Sequence, residues 1–145
     1  MSAPLKRYMN AAFLYAIFAM VGGVFYREFT KYMKFSAWTT LSVVHTHYFL
    51  LGMVFFLVLL LLEKNFSFSQ EKTKKTTLVY QIGVNLTALM LLVRGVTQVL
   101  ACPLPRGCDA AISGIAGLGH ICVGVCMILL LLNVKTALVT SDRAL

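Results

Sequence analysis

Three histidines, His45, His47 and His120, have the most chemistry to offer, and all three stand in otherwise apolar sequence. A neutral imidazole is a metal ligand, a hydrogen-bond bridge or a proton carrier. Ionisable side chains in apolar surroundings are costly and as a rule face an interior site. Arg94, in the run LLVRGVTQVL, is equally out of place. Cys102 and Cys108 bracket the short segment CPLPRGC, while Cys122 and Cys126 lie four residues apart in an apolar run. The chain has no phosphate-cradling glycine loop, no Cys-x-x-Cys pair and no Ser/His/Asp set with a carboxylate in reach. Ligation is therefore the expected chemistry, ahead of nucleophilic catalysis.

The elements that carry these residues follow from composition. Of 145 residues, 59% are hydrophobic and 12% charged, and mean hydropathy is +0.83. A soluble domain carries about 25% charged residues, so the expected class is a single all-α integral membrane domain. Four continuous apolar runs, about 11–26, 37–62, 76–101 and 111–134, approach or exceed the ~20 residues that a spanning helix needs. They are too long and too unbroken for strands, and the expected architecture is a four-helix membrane bundle. The net charge of +8 would suit nucleic acid in a soluble protein. In a membrane protein such an excess lies beside lipid headgroups, so the bilayer is the expected partner and nucleic acid is not.

Charge also orients the spans. Lys6, Arg7, Lys64, Lys72, Lys74, Lys75, Lys135 and Arg143 fall on the side of the termini, against Arg27, Lys31, Lys34 and Arg106 on the other. The positive-inside rule then predicts cytoplasmic N- and C-termini.

With the spans drawn, the histidines fall at matching depths. His45 and His120 are 8 and 9 residues past the outer starts of their runs, so at 1.5 Å per residue both lie about 12 to 14 Å below the outer surface. Two imidazoles at one level on different helices meet the requirement of a bis-histidine heme. Residues two apart on a helix point about 200° from each other, so His45 and His47 cannot both serve one iron. Small and aromatic neighbours (Ser42, Phe49, Gly52) favour His45 as the ligand. Aliphatic neighbours suggest a lipid-facing or subunit-facing side for His47, with self-association into a homodimer as one way to shelter it. His120 shares its face with Ser113, Ala116, Gly117 and Gly124, a groove with little side-chain bulk that suits a porphyrin or another helix.

Arg94 lies about 10 Å below the same surface, and Arg27 ends the first span there. Guanidinium groups so placed suit heme propionates, snorkelling to headgroups being the alternative for Arg94. Both arginines stand in the pattern R-x-x-T, Arg27–Thr30 and Arg94–Thr97, which hints at two similar hairpins. The outer loop CPLPRGC is rich in turn formers, which predicts a disulfide between Cys102 and Cys108, two free thiols being the alternative. Cys122 and Cys126 are expected to be packing residues.

The runs GVFYREFTK, TTLSVVHTHYFLLGMVFF, LVRGVTQVL and DAAISGIAGLGHI resemble a family of small bacterial four-helix membrane proteins of unknown function, over about residues 8–135. More distantly, the second run is similar to the heme-ligating helix of subunit I in heme-copper oxidases and nitric oxide reductases. That resemblance implies His45 or His47, with His120, as axial ligands of a low-spin heme. The chain lacks the further histidines of a copper or non-heme iron centre, so the resemblance does not extend to reduction of oxygen or nitric oxide. The sequence thus leads to a bacterial plasma-membrane heme b protein engaged in electron transfer or heme sensing and handling, with a quinone or a respiratory-chain protein as partner. Two rival expectations are a non-heme metal held by His45, His47, His120 and Met53, and an accessory subunit in which the histidines only bridge helices.

Overall fold

Each of the four apolar runs becomes a helix with an identifiable start or stop. The computed structural model describes residues 1–142, and Arg143, one of the charges used for orientation, lies outside the described residues. Helix α1 (Ala3–Tyr32) starts after Ser2 in extended conformation, with Pro4 in its first turn, where a missing N–H costs nothing. Helix α2 (Leu41–Phe66) contains a π-helical stretch, Tyr48–Val54. Helix α3 (Glu71–Val99) opens with a capping box in which the Gln70 N–H donates to Thr73 Oγ1 at 3.0 Å. Helix α4 (Arg106–Asp142) follows the short cysteine-flanked turn. No strand occurs among the described residues, and all four helices are long and apolar enough to cross a membrane.

The helices overrun most of the apolar stretches, because a helix continues into the headgroup region once its polar residues can be solvated. Residues 37–40 and 100–101 are the exceptions: expected inside spans, they lie outside the helices. The R-x-x-T pattern acquires a structural meaning here. In α1 the Thr30 hydroxyl donates to Tyr26 O at 2.8 Å, and the chain leaves the helix through left-handed Lys34 (φ 51°). The Lys34 N–H then bonds Lys31 O, and the Phe35 N–H bonds Thr30 O. In α3 the Thr97 hydroxyl donates to Arg94 O, Ala101 is left-handed (φ 48°), and the N–H groups of Ala101 and Cys102 bond Gln98 O and Thr97 O. Both are Schellman terminations, seven residues after the arginine in each case.

Packing is uneven along the bundle. The core joins Tyr8 and Tyr15 of α1, Phe56 and Leu59 of α2, Tyr80 and Val84 of α3, and Val123, Cys126, Leu130 and Val134 of α4. These residues all lie toward the end that holds the α2–α3 connection. There the polar atoms are answered internally, as a bilayer demands. The Asn85 amide donates to Tyr15 Oη (3.0 Å) and Gln81 O (2.8 Å), and the Tyr80 hydroxyl donates to Leu51 O (2.7 Å) within the π stretch.

The opposite end is held by close backbone approach rather than by aromatic bulk. Thr39 Oγ1 donates to Gly95 O, Thr40 Oγ1 to Leu91 O, and the Thr40 N–H to the Gln98 side-chain oxygen, so the start of α2 is fastened to α3. A Cβ on Gly95 would stand 2.5 Å from the Leu41 backbone nitrogen. Helix α4 runs along α3 and meets α2 chiefly at the segment Phe55–Phe66, so α2 and α4 separate toward the histidine end.

Gly95→Ala is therefore expected to lower the thermal midpoint in detergent, since overpacking costs roughly 1 to 3 kcal/mol. Gly114→Ala, at an open position on α4 with nothing near its absent side chain, keeps or raises the midpoint through better helix propensity. A scan in which both variants melt like the parent would show that α2 is not seated against Gly95.

Candidate functional site

Helix α3 carries no histidine, yet it positions the two that meet. Gly119 of α4 is buried against Thr87 and Gly83 of α3, and a Cβ on Gly83 would lie 3.0 Å from Gly119 O. This small-residue contact brings the two backbones together and turns the neighbouring His120 out of the α3–α4 seam. On the other flank, the fastening of Thr39 and Thr40 fixes the rotation of the first turns of α2, and with it His47. The rings of His47 and His120 come to face each other with centroids 5.9 Å apart and planes at 85°.

Both rings are oriented in the same way. His47 Nδ1 lies 2.7 Å from Val43 O, and His120 Nδ1 lies 2.9 Å from Ala116 O, each one turn earlier on its own helix. A carbonyl oxygen only accepts, so each Nδ1 carries the hydrogen and each Nε2 keeps its lone pair. A histidine whose Nδ1–H is held by a backbone carbonyl is set up for ligation through the other nitrogen. Gly117 and Gly124, beside His120 on α4, have nothing within 4 Å of their absent side chains. His120, Gly117 and Gly124 together form an exposed strip on that side of α4.

The ring that lies beside His120 is that of His47, the alternative of the two, and not that of His45. His45 points to α1, where its ring stacks on Tyr26 at 6.5 Å and packs over Gly22 and Gly23. Its Nδ1 is buried without a hydrogen-bond partner. The two histidines do point to different sides, as their spacing requires. On the side of His47, which is half-buried, His120 is exposed and the aliphatic neighbours Leu50 and Val54 stay exposed as well.

Arg94 meets a residue that sequence reasoning passed over. Its guanidinium donates to Asp109 Oδ1 (2.6 Å), Asp109 O (3.1 Å) and Ser113 Oγ (2.8 Å), joining α3 to the first turns of α4. The signal was available: Asp109 and Arg94 fall near the same outer boundary on consecutive spans, where an unpaired arginine would seek an acid. Arg94 also borders a cavity of about 290 Å³ with Thr97, Gln98, Cys102, Leu104 and Asp109. From Ser113 to His120 is seven residues, roughly 10 Å along the helix axis. Arg27 does not join this cluster: its side chain is 79% exposed on α1 and pairs with the neighbouring Glu28 at 3.9 Å.

The cysteine loop also differs from expectation. Cys102 and Cys108 are both free and exposed. The segment is not one tight loop, because Cys108 has entered the first turn of α4 while Cys102 belongs to the termination of α3. Cys126 is a buried packing residue as expected, with Cys122 partly buried against Gly83.

Comparison with known proteins adds a family and no activity. Neither a curated protein nor a solved structure matches the chain. A family described as "Protein of unknown function (DUF2871)" matches residues 5–137, nearly the whole bundle from the first turn of α1 to the last part of α4, and the chain belongs to that family.

Proposed function

We propose that this protein is a membrane heme b carrier in which His47 and His120 are the two axial ligands, and that it serves electron transfer or heme handling. The observation that carries the reading is the matched pair of imidazoles, both with Nδ1–H bound to their own helices and both with Nε2 free. The two rings stand 5.9 Å apart, near enough that one iron held between them would draw on both imidazoles. Among the described residues no third His, Cys or carboxylate joins the pair. That donor set suits heme, whose macrocycle supplies the other four ligands, better than a four-coordinate zinc site.

The surrounding residues have separate tasks in this reading. Gly117 and Gly124 leave room for the flat face of the macrocycle, and Ala116 holds the His120 tautomer through its carbonyl. Arg94, already paired with Asp109, would be the cation nearest to a propionate at the outer end. Bound there, the heme would exchange single electrons, and two protein ligands would leave iron no open position for oxygen. A membrane quinol or a respiratory-chain protein is the fitting electron partner. The excess of lysine and arginine at the end with the N-terminus supports a plasma-membrane orientation with cytoplasmic termini.

Protein expressed with ample heme and reduced with dithionite is expected to show sharp low-spin b-type bands. His47→Ala or His120→Ala should abolish them, and His45→Ala should preserve them. A colourless parent protein, or loss of the bands in His45→Ala alone, would end this proposal. The groove gives a second check. Gly117→Leu adds bulk only to open space, so it should weaken heme retention at least tenfold, about 1.4 kcal/mol, while the thermal midpoint of the apoprotein stays put. The orientation has its own readout. On intact cells an impermeant maleimide should label Cys102 and Cys108 without prior reduction; protection of both would invert the topology.

A further inference from the structure

Away from the histidines, α1 and α3 form a second feature at the end that holds the N-terminus. Two cavities, about 460 and 250 Å³, meet at Arg7 and Gln81. The first adds Lys6, Asn10 and Leu14, and the second adds Glu71, Lys74, Lys75 and Leu78. The groove is thus basic at its mouth and apolar further in. From Lys74 to Gln81 is two helical turns, roughly 10 Å of depth.

The cations there are not spent on protein carboxylates. Among the described residues the ion pairs are Arg27–Glu28 and Arg94–Asp109, so Glu71 pairs with none of Lys6, Arg7, Lys74 and Lys75. Arg7 is the sharpest case. Its Nε is buried and has no hydrogen-bond partner, and its guanidinium carbon sits 5.6 Å over the Tyr8 ring. A buried N–H of a charged group left unbonded costs more than an ordinary unmade hydrogen bond, so an acceptor is expected at that position. Burial of the Tyr8 ring against Phe56 and Phe68 holds the Arg7 turn of the helix in place.

We propose that this groove binds one anionic phospholipid, with the headgroup phosphate between Arg7 and the Lys74–Lys75 pair and an acyl chain over Leu14 and Leu78. Charge complementarity and the polar-to-apolar gradient along the groove together select a lipid rather than a soluble anion. Basic pockets between spanning helices at one membrane surface are a known way to hold acidic headgroups. The inference stands apart from the heme reading and survives its failure.

Native mass spectrometry of the full chain in mild detergent tests it, with phosphatidylglycerol or phosphatidylcholine of matched acyl chains added. The parent should retain a single phosphatidylglycerol with roughly tenfold preference over phosphatidylcholine, the scale expected for a few clustered cations. The preference should vanish in Arg7→Gln and in the Lys74→Gln/Lys75→Gln pair. Both lysines are exposed, so that pair decides the matter even where Arg7→Gln fails to fold. Lys31→Gln/Lys34→Gln, an equal loss of charge at the other end, should keep the preference. Equal binding of both lipids by the parent, or an unchanged preference in the Lys74/Lys75 variant, would overturn the proposal. So would loss of preference in the Lys31/Lys34 variant. Displacement of the lipid by an equal concentration of inorganic phosphate would also overturn it, assigning the groove to the free ion.

Discussion

Two missing side chains on α3 determine the geometry of everything around the histidines. At Gly95 the backbone of α3 accepts Leu41 so closely that a methyl group would collide with its nitrogen, and at Gly83 it accepts Gly119. Gly83 and Gly95 are 12 residues apart, so α2 and α4 dock on two flanks of one rod about 120° from each other. Between helices in lipid the hydrophobic effect supplies little, so close van der Waals packing of this kind must set distance and rotation. Rotation matters more than distance here: a helix turned by one residue moves its side chains through about 100°. His47 and His120 face each other because both host helices take their rotational setting from the same neighbour.

The rest of the bundle makes that docking durable. Tyr8, Tyr15, Phe56 and Tyr80 fill the far end with stacked and tilted rings, and each tyrosine hydroxyl finds a partner. The π stretch Tyr48–Val54 belongs to the same arrangement. Gly52 lies against the Tyr15 ring, closer than any larger residue permits, and Leu51 offers its carbonyl to Tyr80. A π turn widens the helix and leaves carbonyls poorly bonded along it, which Tyr80 exploits. The stretch starts directly after His47, so the same helix serves a regular, rigid histidine segment on one side and an adapted aromatic core on the other.

This division explains what the sequence made legible. Length, hydropathy and the polar breaks revealed four helices and their approximate ends, because the bilayer constraint acts on each segment separately. Which histidine faces α4 was not legible, since a helical wheel shows that His45 and His47 diverge but not which neighbour stands on each side. The neighbours assigned to each were also counted at α-helical spacing across Tyr48–Val54, where the π stretch breaks that spacing. The R-x-x-T repeat was visible, but its regularity lies in how α1 and α3 end rather than in a pair of ligand clamps. The Asp109 partner of Arg94 is not marked by any motif, since it stands outside the apolar runs, in the polar break before the fourth. Helix α4 also starts earlier than the apolar run suggests, so Cys108 belongs to a helix rather than to the turn.

The open end and the filled end then have different physical characters. Where aromatic rings pack, the helices gain van der Waals contact all round and have no space to give. Where small residues pack, the backbones touch at two points and the faces beyond them stay uncovered, as at Gly114, Gly117 and Gly124. An uncovered strip of glycine in a spanning helix forfeits dispersion contacts that leucine would make with lipid tails. It also carries the weak helix propensity of glycine, about 1 kcal/mol per residue relative to alanine. In the proposed function, a macrocycle lying against that strip would restore the contacts that the glycines forgo. The same reasoning distinguishes His45: enclosed against Gly22, Gly23 and Tyr26, it has no comparable open strip beside it, and its surroundings are those of a packed helix seam.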